Sequence, residues 1–394
     1  MLNKIIKNKM ILIVSLMMLG CSSPHSIENR VTEENYMLVN IQHANKYQSR
    51  EPYRFWGDIG PKFLLDDVNG SNSLNVAGDR LNVLALSGGG ANGAFGAGVI
   101  NGLYDSAKLP DYTIITGVSA GALIAPFVFV GGEDIHKLRD AMFKLNDHEV
   151  LGNKSVFNIF FKDAFTSGER LLSLIESTYD EEMISQIAEK HIQGKRLFIG
   201  TTHFDSGKQI TWNLGEIASS NLPNKSALIH QVLAASSSIP GVFPPQFINV
   251  EYQGEQLKEL HVDGGLTFQM FFNPSSFDYG KLSTQIGLER NPNVHVIRNG
   301  TLQAHYQQLR GRGIELLTRS VSNLTLQQTR GDMYRMLYTS KRDNYDIAFT
   351  YIDTAFHFEK EGNKIFDEEY MAQLYSYGYL KAQSGKLWTS QIPH

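Results

Sequence analysis

The chain of 394 residues is 42% hydrophobic and 19% charged, a balance that supports a sizeable core and excludes disorder or a coiled coil for the whole of it. Lys and Arg number 36 against 40 Asp and Glu, and removing residues 1–20, which carry Lys4, Lys7 and Lys9 and no acid, makes the balance more negative; a nucleic-acid partner is argued against, because phosphate is bound with Lys and Arg. One cysteine excludes an intrachain disulfide framework and a multi-cysteine metal site.

The three lysines precede an apolar run over residues 10–19, and Gly20-Cys21 follows, so residues 1–20 read as a secretory signal with charged start, short apolar middle and small-residue exit. The run is too short for a mature membrane-spanning helix. Met18-Leu19-Gly20-Cys21 resembles a bacterial lipobox, in which cleavage leaves the cysteine as a lipidated N-terminus, although Met stands where Leu is usual. Ser22, rather than Asp, resembles the pattern sorted to an outer membrane. The expectation is a cell-envelope protein held to the membrane through a lipid on Cys21; an ordinary signal peptide with an incidental cysteine is the alternative.

Residues 21–79 are polar and rich in Asn and Ser, and read as an N-terminal tether that docks locally. Its aromatic cluster, Tyr53, Phe55 and Trp56, reads as a patch packed on the main domain. From Arg80 short apolar runs alternate with helical stretches, the signature of βαβ units and a largely parallel sheet, giving one domain over 80–385 and a tail over 386–394. Residues 81–86 form the first predicted strand. SGGGANGAFGAG (87–98) is a turn entering a helix, and 112–116 is the next strand. GVSAG (117–121) opens an apolar helix reaching about Val130. Residues 197–202 and 209–214 form a hairpin around Ser206-Gly207, 260–262 end a strand at Asp263, and 294–297 form another. Ile314, Leu317, Val321 and Leu324 recur at helical spacing as a packed face. Residues 346–352 and a helix from Asp367 to about Gln383 place the C-terminal part in the same fold. No internal repeat is present, and no stretch after residue 20 is long and apolar enough to cross a membrane.

A serine between two glycines at a strand-to-helix turn is the nucleophile-elbow pattern, with Gly117 and Gly121 allowing the tight turn and Ser119 at its apex. The following helix N-terminus puts partial positive charge where an oxyanion would develop. Gly88, Gly90 and Gly93 also satisfy G-x-G-x-x-G after a strand, so a dinucleotide-binding turn competes. That motif wants an acid at the end of the second strand, whereas Asp111 precedes it and the serine elbow follows it. The preferred role for Gly88, Gly89 and Gly90 is an oxyanion hole of fixed backbone N–H groups. Asp263, in HVDGG at a strand end, could take the serine proton if burial raises its basicity. No His, Asp and Glu cluster has convincing metal spacing, so no metal and no cofactor is expected. His203, His230, His261 and His295 read as structural or surface histidines, with His261, two positions before Asp263, the one to watch.

SGGGANG, GVSAG and DGG in this order, with ASSSIPGVFPP (235–245) between the last two, resemble the patatin-like phospholipase family over roughly residues 80–385. The resemblance implies a three-layer α/β/α sandwich and hydrolysis of acyl esters of phospholipids or other lipids. It makes Ser119 the nucleophile, Asp263 its sole partner in a Ser-Asp dyad, and Gly88–Gly90 the oxyanion hole. The chain departs from the family twice: Asn92 stands where Arg or Lys often follows the glycines, and Gln269 and Phe271 stand where Asn and Pro usually follow DGG, with Asn273-Pro274 slightly later. The expected activity is therefore phospholipid acyl hydrolysis. Its alternatives are a neutral-lipid or small-ester esterase, favoured by Asn92, and a non-catalytic envelope lipoprotein that retains the fold.

Overall fold

The computed structural model describes residues 29–44, 50–65, 74–151, 165–271, 277–304, 306, 308–309, 313–358 and 364–393; Cys21 and Asn273-Pro274 lie outside them. Ten strands form one sheet among these residues: β1 (Asn40–Ile41), β2 (Arg54–Trp56), β3 (Asn82–Leu86), β4 (Ile114–Val118), β5 (Arg196–His203), β6 (Lys208–Asn213), β7 (Gln246–Tyr252), β8 (Glu255–Asp263), β9 (Asn293–Ile297) and β10 (Asp346–Thr350). The order is β1-β7-β8-β5-β4-β3-β9-β10, with β6 also on β5 and β2 on β6. From β10 through β9, β3 and β4 to β5 the strands run parallel; β8, β7, β1, β6 and β2 join antiparallel.

Successive side chains of a strand point to opposite faces, and a strand covered on both faces is apolar throughout. In β3, Val83 and Ala85 pack with Phe198, Val294, Met333 and Met336 on one face, while Leu84 and Leu86 pack on the other with helices Gly93–Asp105, Ala120–Val130 and Glu368–Gln383. Two cores on the two faces make the expected three-layer α/β/α sandwich.

Four local expectations change. The stretch read as a tether contributes β1 and β2 to the sheet, and buried Glu51 pairs with buried Arg196 at the start of β5. The aromatic patch within it packs as expected: Tyr53 is buried, and Phe55 meets Phe63 and Phe198 edge to face. Residues read as a tail bridge back to the sheet through Thr389 and Phe349, burying Leu387 and Ile392. In helix Gly313–Arg342, Val321 and Leu324 are exposed, and the packed positions are Thr329, Asp332, Met333, Met336 and Thr339. The helix meets the sheet-side core with its second half, while Val321 borders a cleft. Finally β4 begins and ends two residues later than the strand expected over 112–116, because Gly117 and Val118 continue the pairing with β5.

Candidate active site

One edge of β5 explains why two groups far apart in sequence meet. Parallel β4 occupies its first half, ending with Val118 opposite Gly200, and antiparallel β8 occupies its second half, ending with Asp263 opposite Thr201. The two strands arrive from opposite directions and stop tip to tip. Ser119 follows one tip and Asp263 is the other.

Ser119 adopts φ 54° and ψ −125°, a conformation a non-glycine residue holds at a cost of order 1–3 kcal/mol and only where its surroundings enforce it. Its N–H donates to Ser236 Oγ at 3.0 Å, and that hydroxyl donates onward to the Gly200 carbonyl at 2.7 Å. The flanking glycines are required by close approach: a Cβ on Gly117 would sit 2.5 Å from the Gly121 carbonyl oxygen, and one on Gly121 2.3 Å from that of Leu86. GVSAG thus forms a tight turn from β4 into the helix Ala120–Val130, with Ser119 at its apex.

Asp263 is buried. Its Oδ1 accepts the Gly265 N–H at 2.7 Å, and its own N–H donates to the Ser238 carbonyl at 3.0 Å. Burial pushes the carboxyl up to about 6, an effect that hydrogen bonding with the Ser119 side chain and the Gly265 N–H reduces in part. The segment 235–245 therefore positions both groups, through Ser236 for the elbow and Ser238 for the aspartate.

The glycine loop lies beside Ser119: a Cβ on Gly88 would be 3.1 Å from Ser119 Cβ. Its three amides are not equivalent. The Gly88 N–H donates to the Gln269 carbonyl at 3.0 Å and is not available to an oxyanion, a correction to the sequence expectation. No hydrogen bond among the described residues occupies the N–H of Gly89 or Gly90, and Gly90 takes φ 54°, which suits glycine. Behind the loop, Asn299 N–H and Nδ2 donate to Ser87 Oγ and the Ser87 carbonyl, both at 2.8 Å. Buried Arg298 donates from Nη1 to the Gly88 carbonyl at 3.0 Å, and to Ser87 Oγ and Gln269 Oε1 at 3.3 Å. Burial lowers its guanidinium to about 10, so it stays charged at neutral pH. Asn92 faces the same cleft, its Oδ1 accepting the Tyr370 hydroxyl at 2.8 Å.

The four histidines are engaged elsewhere. His230 bonds the Tyr179 carbonyl at 2.7 Å, His203 bonds Ser206 Oγ at 2.8 Å, and His295 bonds the Tyr112 hydroxyl at 2.8 Å. His261 is fully buried in a directed chain. Trp212 Nε1–H donates to Thr201 Oγ1 at 2.8 Å, leaving that hydroxyl to serve His261 Nδ1 at 3.0 Å, so Nε2 carries the proton toward Glu259 at 3.1 Å. Burial holds this imidazole below its ordinary value, and Glu259 is paired with Arg54.

Ser119, Asp263, Gly88–Gly90, Arg298 and Gln269 line one open cleft of about 820 Å³ that also includes Leu266, Arg319, Val321, Leu326 and Phe358. Among the described residues, one group of side chains has metal-like proximity, Glu51, His191 and Glu216. Glu51 is taken by Arg196 Nε at 2.8 Å and Asn213 Nδ2 at 2.7 Å, and Glu216 by His191 at 2.9 Å, which makes the group a buried ion network. Ser236, Gln269, Arg298 and Asn299 were not singled out as site residues from sequence. Only the Ser-Pro block and the departure at Gln269 pointed toward two of them.

The family model described as patatin-like phospholipase matches residues 84–273. Triacylglycerol lipase 4 of Saccharomyces cerevisiae is 30% identical over 242 residues, covering 52% of this chain and 24% of that protein, so the chain spans about a quarter of that relative's length. Among solved structures, VipD of Legionella pneumophila superposes with a TM-score of 0.36 at 14% identity, covering 79% of this chain and 68% of that one. Full-length ExoU of Pseudomonas aeruginosa, in complex with SpcU, gives 0.34 at 13% identity, covering 79% and 52%. No helix among the described residues is long and apolar enough to cross a membrane. The ordered glycine loop, serine elbow and aspartate all lie inside residues 84–273, the segment that matches the patatin-like phospholipase family.

Proposed function

We propose that the protein is a serine acyl hydrolase that cleaves carboxylic esters of lipids, with phospholipids as the leading substrate. The observation that carries this reading is Ser119, held at positive φ beside a buried carboxyl lifted to about 6. In the proposed reaction Ser119 Oγ attacks the ester carbonyl carbon while Asp263 takes the hydroxyl proton, and the Gly89 and Gly90 N–H groups receive the oxyanion. Collapse returns the carbonyl and expels the alcohol, which takes the proton from Asp263, leaving an acyl-serine. Water then attacks that ester with Asp263 again as base, releasing the fatty acid and restoring the serine. No histidine and no cofactor enters these steps.

Asp263 is the one acidic side chain among the described residues lining the cleft, and Arg298 and Arg319 line it too, a balance that suits a phosphate-bearing ester. The neutral Asn92–Tyr370 pair on the cleft wall favours the second reading, an uncharged acyl ester. A fluorophosphonate with subsequent peptide mapping tests the chemistry: labelling of Ser119 that is lost in Ser119→Ala is expected, and an unlabelled folded parent would favour a non-catalytic lipoprotein. Rates on phospholipid and on uncharged esters then separate the substrate readings.

We further propose lipidation at Cys21 and residence in the outer membrane, supported by the lipobox-like Met18-Leu19-Gly20-Cys21 and by Ser22. Metabolic labelling with a fatty-acid precursor should mark the parent and not Cys21→Ala; equal incorporation in both would exclude that site.

A further inference from the structure

A chain that carries Asn92 after its glycines lacks the loop cation its resemblance leads one to expect, yet a guanidinium reaches the same loop from behind. Arg298 stands one residue past β9, buried, with Nη1 on the Gly88 carbonyl at 3.0 Å. That carbonyl and the Gly89 N–H are the two ends of one peptide unit. Before the unit, Gly88 N–H is tied to Gln269 and Asn299 fixes Ser87; after it, the Gly89 carbonyl accepts the Asn92 N–H at 3.1 Å, so the unit is held on either side while its Gly89 N–H has no acceptor among the described residues. A cation on the carbonyl end of a peptide fixes its plane and draws electron density from its nitrogen, which makes the N–H a stronger donor.

We propose that Arg298 is a positioning residue for the oxyanion hole, clamping the Gly88 carbonyl so that the Gly89 N–H of the same peptide faces the substrate oxyanion. The inference rests on the acyl-hydrolase reading. Charge that would otherwise sit on the loop is delivered through the peptide, and the cleft wall at residue 92 is left neutral. Gly300 closes over the guanidinium: a Cβ there would come 3.0 Å from both Nε and Nη2 and 3.1 Å from Cζ.

The experiment compares the parent with Arg298→Gln, Arg298→Lys and Gly300→Ala on one short soluble ester, with thermal unfolding as a check of folding. Each phosphonylated Ser119 adduct is also followed by phosphorus NMR, because its phosphoryl oxygen occupies the hole. Arg298→Gln should lower kcat and kcat/KM together by on the order of 10–100-fold, with KM changed less than about twofold. Lys should restore part of the loss, and Gly300→Ala, which nudges the guanidinium without removing its charge, should cost a few-fold. The phosphorus resonance should move in Arg298→Gln and return toward the parent in Arg298→Lys. Folded variants with parental kcat and an unmoved resonance, or a loss confined to KM, would overturn the proposal. If Arg298→Gln does not fold, the Lys and Gly300→Ala variants decide by the same readings. A parent that reacts at Ser119 while these variants react at its rate defeats this inference alone; a parent that does not react defeats the hydrolase reading beneath it.

Discussion

Asp263→Asn separates basicity from shape, since the amide keeps an oxygen for the Gly265 N–H that Asp263 accepts at 2.7 Å. Burial lifts the carboxyl from 3.8 to about 6, a difference worth about 3 kcal/mol between its two protonation states. A group bound more tightly to its proton when folded makes the protein less stable as pH rises from about 4 through about 6, and adds no further change above that. The Asn variant escapes this penalty. It should be more stable than the parent by up to about 3 kcal/mol at pH 8, with the difference closing as pH falls toward 4. Catalysis should move the other way. The parent's kcat/KM on a soluble ester should rise about tenfold per pH unit below about 6 and level off above it, so that pH 5 gives about a tenth of the plateau, whereas the variant loses on the order of a thousandfold or more at every pH. Urea unfolding at pH 4 and pH 8 and a pH–rate profile make both measurements. A stability difference that does not change with pH, together with a profile flat down to pH 4, would mean that the carboxylate is solvated and is not the base.

Ser236→Ala strands the Ser119 N–H and the Gly200 carbonyl in a buried elbow and should cost about 2–4 kcal/mol, with slower phosphonylation of Ser119; a variant as stable and as quickly labelled as the parent would remove Ser236 from the elbow's support. Asn92→Lys loses the 2.8 Å bond to Tyr370 and brings a cation to the cleft wall, so the ratio of phospholipid to neutral-ester rates should rise; an unchanged ratio would show that residue 92 does not meet the substrate. Alanine at His203, His230 or His295 should leave most turnover, and His261→Ala should cost stability and a moderate share of rate by breaking the chain from Trp212 to Glu259. A single histidine variant as inactive as Ser119→Ala, with Asp263→Asn less impaired, would favour a triad.

The parallel strands were legible because both their faces are covered, which writes apolar runs such as the one ending at Leu86. The elbow was legible because tight turns demand small residues at fixed spacing. Strands β1 and β2 were not, since short edge strands in an Asn- and Ser-rich segment carry no long run. Only the end of β8 was foreseen, because its first half, Glu255 to Glu259, alternates exposed and buried residues and looks polar when read along the chain. Glycine at position 117 made β4 look finished before it was, although its backbone pairs with Ile199. Arg298 left no local signal. An arginine after a short strand is ordinary until the fold puts it under the glycine loop.

Arg298 and Asp263 line one cleft with opposite charges, and the arrangement works only if they are kept from pairing, because an ion pair would pull the aspartate down by about 1–3 pH units and remove its basicity. Gln269 connects them without charge. Its Oε1 accepts from Arg298 at 3.3 Å, and its Nε2 donates at 2.6 Å to the carbonyl of Gly265, whose N–H holds Asp263. Its backbone N–H donates to Asp332 Oδ2 at 3.2 Å, and it is Asp332 whose charge supports the guanidinium. The forces acting on Asp263 are accordingly burial, Ser119 and Gly265, with no guanidinium among them. The departure after DGG thus has a physical account. An amide long enough to span from the glycine loop to the aspartate turn locks both in register, while the positive charge stays on the Gly88 carbonyl and the carboxylate stays free to take a proton near neutral pH.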